Sequence, residues 1–406
     1  MKKFIMYGAG NIGRGFIGQS FSLSGYSVGF IDINKEVIAR LNADKEYPVD
    51  VVSNDGLEEI AVKNVYGIDG TDIELVSNEI ASADIMATAI GVNVLKFIAK
   101  PIALGLKKRF ENNAKPFNII ICENLIGADE FLKGLIKEQI PKYAERVENE
   151  IGFVEASIGR MVPVMTEEKK QGNPLRVYVE PYNILPVDLN AFKGEVPKDV
   201  ANLYPYKPFN MFIQRKLFMH NMSHATCAYL GYLRDYEYIY QTVEDFDIKY
   251  VAFKALTQSA LAISKENGVE MEMLLSHAEN LLYRFQNKAL GDTVARVGRD
   301  TIRKLGENDR LVGALKLAEK HGLNNEYICL GIAAGLVFDP EGDQSSIEVS
   351  TYAREFGAKA TLEKYCNYTG EKVDLIEKLY NMIKNGKQIS ALVKVCEDSA
   401  GKEIRV

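Results

Sequence analysis

The chain has 406 residues, 47% of them hydrophobic and 26% charged, with 49 Lys and Arg against 55 Asp and Glu for a formal net charge of −6. Those proportions suit an ordinary globular protein with room for two domains, and the lack of a basic block argues against a nucleic-acid partner. No run of about twenty apolar residues predicts a membrane span. The opening "MKKFIMYGAG" breaks at Gly8, too early for a signal-peptide core, so a cytoplasmic protein is expected.

The first half reads as alternating strand and helix. "KFIMYGAG", "YSVGFIDIN", "ADIMATAIGV" and "FNIIICEN" are continuous apolar runs of the kind that suit a parallel sheet covered on both faces. "EIGFVEASIGRMVPV" reads as another strand, and "LRVYVEPYNILPVD" as β-structure beyond it. After "KGEVPKDV" the apolar spacing becomes helical. "MFIQRKLFMHNMSHATCAYLGYL", "DIKYVAFKALTQSALAISKEN" and "EMEMLLSHAENLLYRFQNKAL" show it. "DRLVGALKLAEKHG" and "LIEKLYNMIKNG" add a closing glycine in C-cap position. The expected fold is α/β: a Rossmann-type doubly wound domain over residues 1–195, then a mainly α-helical domain over residues 196–406. The five cysteines, odd in number and widely spaced, predict buried thiols rather than a disulfide framework or a zinc ribbon.

Gly8-Ala9-Gly10-Asn11-Ile12-Gly13 fits G-x-G-x-x-G. The hexapeptide alone is a weak signal, but it follows a short apolar strand and precedes a helix-like segment. Asp32 closes the next strand, 19 residues beyond Gly13, near the spacing of an acidic ribose ligand. Gly8 would permit the tight turn, Gly10 close approach of a pyrophosphate, and Gly13 packing of helix on strand. The amides opening the helix would face the anion. Asp32 would favour NAD over NADP, because a carboxylate repels a 2′-phosphate.

The stretch "RKLFMHNMSH" holds two of the four histidines. On an α-helical wheel Lys216, His220, Asn221 and His224 share an arc of roughly 140°. Phe218, Met219, Met222, Ala225, Tyr229 and Leu230 lie opposite. Such a face fits three readings. One is a solvated surface, although those are usually rich in Glu and Lys. Another is a metal site on His220 and His224, although the glutamate of H-E-x-x-H is missing. The third is an acid–base site for alcohol oxidation. There a neutral lysine amine takes the hydroxyl proton, and amide and imidazole steady the oxyanion.

The spacing K-x-x-x-x-N-x-x-H, met by Lys216, Asn221 and His224, resembles the signature of the polyol-specific long-chain dehydrogenases, the mannitol dehydrogenase family. "YGAGNIGRGFIG", "IICENLIGA", "RKLFMHNMSHATCAYLG" and "DTVARVGRDTIRKLGENDRLVG" also resemble family segments, in order across nearly the whole chain. The resemblance implies NAD as cofactor and metal-independent interconversion of D-mannitol 1-phosphate and D-fructose 6-phosphate. It implies Lys216 as general base, Asn221 and His224 on the reacting oxygen, Asn124 as a substrate hydrogen-bonding residue, and Arg296 and Lys304 lining the substrate pocket. It also implies a small-molecule sugar phosphate or polyol as partner, in a monomer or homodimer.

Read from the residues alone, Arg296, Arg299, Arg303 and Lys304 concentrate positive charge, either for a phosphate or as an exposed basic helix end. One departure stands out. In "IGRMVP", Gly159 occupies the place of a family aspartate. A free polyol, a hexuronate such as tagaturonate or fructuronate, or another phosphorylated substrate therefore stays open. A rival of a different class is a non-catalytic NAD-binding sensor, against which the intact lysine signature speaks. His220 matches no family ligand.

Overall fold

The computed structural model describes residues 1–125 and 127–401. The chain forms two compact units, Met1–Phe209 and Asn210–Val406.

The first unit is built on six parallel strands: β1 (Lys3–Tyr7), β2 (Ser27–Asp32), β5 (Val65–Asp69), β6 (Ile85–Thr88), β7 (Phe117–Ile121) and β8 (Ile151–Glu155). Their order across the sheet is β5-β2-β1-β6-β7-β8. That is the doubly wound dinucleotide-binding order, with its switch point between β1 and β6. Phe4, Ile5, Met6, Val28, Phe30, Ile119 and Ile120 are fully buried, because both faces of the sheet are covered. The apolar runs read in the sequence are thus central strands.

The hairpin β3 (Glu46–Ser53) and β4 (Gly56–Lys63) was not legible in the sequence, nor was β5. β4 reads GLEEIAVK, with mostly exposed charges and little apolar content, and so resembles surface chain. β9 (Val177–Val179) pairs in parallel with β3, forming a second sheet in the order β4-β3-β9. β10 (Leu185–Asp188) and β11 (Leu203–Tyr206) form a parallel pair.

The second unit is helical. Its long helix Phe246–Asn267 ends on Gly268, and helices Val312–Lys320 and Val373–Lys384 run out toward Gly322 and Gly386, all three glycines at positive φ. The left-handed conformation needed just past a helix is least strained for glycine. Among the described residues two π-helical stretches interrupt the α-helices, one per unit: Gly13–Gly18 and Arg215–Asn221. All five cysteines are buried and none is in a disulfide. Among the described residues no helix is long and apolar enough to cross a membrane.

Candidate functional site

In the first unit the six predicted cofactor residues converge at the end of β1. Gly8 has φ +107°, and a Cβ there would lie 2.5 Å from the Ala89 carbonyl oxygen. A Cβ on Gly13 would collide with the Gly8 carbonyl. Gly10 differs, since a Cβ there would meet nothing within 4 Å. The first and third glycines are therefore demanded by the protein's own packing. The second faces open space, where a side chain would fill the approach to the loop. Asn11 and Ile12 open the helix between them, with Ile12 packed on the core. Asp32 accepts the Ala9 amide at 2.8 Å through one carboxylate oxygen and the Asn34 amide at 2.9 Å through the other. Each oxygen keeps a lone pair for a further donor such as a ribose hydroxyl. This arrangement fits a dinucleotide.

Two buried arginines that sequence reasoning missed brace the loop. Arg14 donates to the Ala9 carbonyl and, at 3.1 Å, to that of Leu175. Arg160 donates to the Gly15 carbonyl at 3.0 Å and to Gln19 Oε1 at 2.6 Å. Burial lowers both guanidinium pKa values, that of Arg160 to about 10. Their neighbourhood in "GAGNIGR" and "IGRMVP" was the available signal. Gly159, in the place of the family aspartate, packs near Tyr182, whose Cε1 would lie 3.2 Å from an added Cβ. The nearby negative charge acting on Arg160 comes from buried Glu180.

Asn124 follows β7 and is exposed. The preceding Glu123 accepts the amides of Ile90 and Gly91 at 3.0 and 2.9 Å, tying the loops after β6 and β7 together. Because β1, β6 and β7 are neighbours in the sheet, Asn124 and the glycine loop emerge at the same sheet end. Glu155, closing β8, accepts the Gly127 amide at 3.1 Å. Burial, reinforced by Asp129, pushes its pKa up to about 7.

In the second unit Lys216, His220 and Asn221 lie in the π-helical stretch, and His224 in helix Met222–Tyr232 that continues it. The α-helical wheel needs correcting here. An α-helix sets residues five apart about 140° from each other. A π-helical turn closes i→i+5 bonds and makes them near neighbours. Lys216 and Asn221 therefore share a face more closely than α-geometry allows. The Phe218 carbonyl in this turn accepts the Ser259 hydroxyl at 2.7 Å from helix Phe246–Asn267.

His220 is only 6% exposed, so it does not sit on a wet face. Its ring lies 6.0 Å from that of His224, and His224 stacks on Phe285 at 4.7 Å with 15° between planes. Burial first, then neighbouring cations, lowers both imidazoles well below the usual histidine range. For His224 those cations are Arg296, Lys304, Arg310 and Arg284; for His220 they include Arg284 and Lys216. Three of the four histidines share this environment, since His277 acts on His220. The fourth, His321, pairs with Glu266 at 2.7 Å.

The predicted basic residues divide. Lys304 is buried, donates to the Val297 carbonyl at 2.6 Å, and is lowered to about 7 by burial and then by Arg310 and Arg303. Arg296 pairs with Asp292. Arg303 lies half exposed against Asp300 at 2.7 Å, and Arg299 is exposed. Arg284, Arg310, Phe285 and Asp292 were missed. Asp292 and Arg310 lie inside "DTVARVGRDTIRKLGENDRLVG", whereas nothing in the sequence ties Arg284 to His220. Among the described residues no group of three or more His, Cys, Asp or Glu could hold a metal ion.

A parallel sheet with an open glycine loop, joined to a helical unit carrying lysine, amide and neutral imidazoles, defines a Rossmann-fold oxidoreductase that uses a dinucleotide. More particularly, the chain belongs to the mannitol dehydrogenase family. Residues 2–199 match that family's Rossmann domain and residues 209–392 its C-terminal domain. It is 37% identical to mannitol-1-phosphate 5-dehydrogenase of Caldanaerobacter subterraneus subsp. tengcongensis, over 96% of this chain and 100% of that one. The enzymes of the same name from Thermoanaerobacter pseudethanolicus and Brevibacillus brevis are 36% and 38% identical, over 96% and 90% of this chain and 99% and 93% of theirs.

Among solved structures, a D-sorbitol dehydrogenase superposes with TM-score 0.79 at 16% identity, covering 97% of this chain and 94% of its own. The Pseudomonas fluorescens mannitol 2-dehydrogenase complex with NAD and D-mannitol superposes with TM-score 0.75 at 15% identity, covering 99% and 95%. At those identities the likeness is one of fold.

Proposed function

We propose that the protein is an NAD-dependent dehydrogenase interconverting D-mannitol 1-phosphate and D-fructose 6-phosphate, with Lys216 as general base and no metal. The observation that carries the phosphate reading is the group of cations, Arg296, Lys304, Arg310 and Arg284, acting on His224 in the unit that bears Lys216 and Asn221. Arginine forks bind a phosphate dianion with two parallel hydrogen bonds. The mannitol-1-phosphate 5-dehydrogenase relatives, aligned over nearly their full length, support the same substrate.

When bound at the Gly8–Gly13 loop, NAD supplies a nicotinamide ring that accepts a hydride. This chain's residues supply the rest. In its deprotonated form Lys216 would take the proton of the secondary hydroxyl, and the Asn221 amide would donate to the oxygen as negative charge develops. His224, held uncharged, would help hold the reacting hydroxyl in place without adding a competing acid. Asn124 would hydrogen-bond the sugar, and Asp32 the ribose diol in preference to a 2′-phosphate.

The test is to follow NADH oxidation with fructose 6-phosphate, fructose, tagaturonate and fructuronate side by side. Preference for fructose 6-phosphate by at least about tenfold in kcat/KM is expected. Preference for an unphosphorylated ketose would overturn the phosphate assignment of Arg296 and Lys304. Lys216→Ala should bind NADH normally and lose turnover. If activity is lost with EDTA and restored by zinc, the lysine mechanism falls.

A further inference from the structure

Asp292 is 11% exposed and sits between two groups with different tasks. One carboxylate oxygen pairs with the Arg296 guanidinium. The other lies 3.6 Å from His224 Nε2, a buried nitrogen with no hydrogen-bond partner. The backbone holds the carboxylate in place from both sides: the Asp292 carbonyl accepts the Ile239 amide at 2.9 Å, and the neighbouring Thr293 side chain caps helix Val294–Gly298 by accepting the Arg296 amide. The His224 ring is fixed in plane by Phe285. A carboxylate facing Nε2 stabilises the tautomer with its proton there and leaves Nδ1 as an acceptor. The same carboxylate sets where the Arg296 fork points.

We infer that Asp292 is a positioning residue that links the Arg296 anion subsite to His224 through one shared carboxylate. Its two oxygens serve different partners, so an anion drawing on Arg296 loosens one contact and frees the carboxylate to close on His224. Recognition of the substrate's phosphate and orientation of the imidazole on its hydroxyl are thereby coupled. This rests on the phosphate reading given above, and it adds a residue and a role that neither the glycine loop nor the lysine signature contains.

The test is a double-mutant cycle in the full-length protein, measuring kcat and KM for fructose 6-phosphate and for fructose with NADH. Asp292→Asn keeps the shape and removes the charge, and should lower kcat for fructose 6-phosphate by about tenfold or more. In a His224→Ala background the same change should lower kcat by less than about twofold, because residues acting through one another are not additive. The variant should also narrow the preference for fructose 6-phosphate over fructose.

Equal fold losses in both backgrounds, with the substrate preference unchanged, would overturn the inference and leave the phosphate reading standing. No turnover of fructose 6-phosphate by the unchanged protein would overturn that reading and this inference with it. If Asp292→Asn does not fold, Asp292→Glu carries the same comparison, since its displaced charge disturbs both contacts.

Discussion

Individual residues in the glycine loop do different physical work, and this separates them experimentally. Gly13 packs against the Gly8 carbonyl, whereas Gly10 faces open space. Gly13→Ala should therefore destabilise the protein by about 2 kcal/mol, as overpacking typically does. Gly10→Ala should leave stability within about 0.5 kcal/mol of the original, because its methyl meets nothing in the protein, and should weaken NADH binding. Thermal melts paired with NADH titration distinguish the two. Asp32 and His224 were readable as individuals because each occupies a fixed spacing from a motif. Arg284 and Asp292 were not. Their importance comes from which side chain they face, and nothing local in the chain records that.

Single elements carry the next level, above all the two π-helical turns. Each places main-chain carbonyls where side chains from elsewhere in the same unit engage them: Tyr47 and Arg160 on Arg14 and Gly15, Ser259 on Phe218. Ser259 is 1% exposed, so Ser259→Ala leaves a buried carbonyl without that donor. It should cost about 1 kcal/mol and lower kcat, while NADH affinity, set in the other unit, stays unchanged. A thermal melt, a turnover assay and an NADH titration check the three parts. Periodicity analysis assumes 3.6 residues per turn and cannot see such a turn. That is why Lys216 and Asn221 read as spread over a wide arc. The strands of the central sheet, by contrast, were legible because burial on both faces demands continuous apolar runs. β4 escaped because its exposed face is charged.

At the scale of the whole molecule, pH dependence follows from groups that folding displaces from their ordinary range. Glu155 rises from 4.5 to about 7. Its folded form holds a proton more firmly than its unfolded form. The stability it contributes is therefore present below about pH 4.5 and is lost as pH rises through about 7. Glu155→Gln should leave the melting temperature unchanged near pH 4.5 and raise it by about 2–4 °C at pH 8. Equal midpoints at both values would show that Asp129 and burial do not act on this carboxyl as described.

The sequence by itself determined the class of this protein: the α/β-then-helical order, the glycine loop, the acidic strand end and the lysine signature. All of these follow from local spacing, which is a property of the chain. Only the tertiary structure decided which of the clustered basic residues turn inward. Lys304 is buried against the Val297 carbonyl while Arg303 is paired half-exposed with Asp300. Only the structure, too, made His220 a buried neighbour rather than a solvent-facing one, and brought Arg284 and Asp292 to the histidines. Charge balance and burial depend on distances between segments far apart in the chain, and folding alone sets those distances.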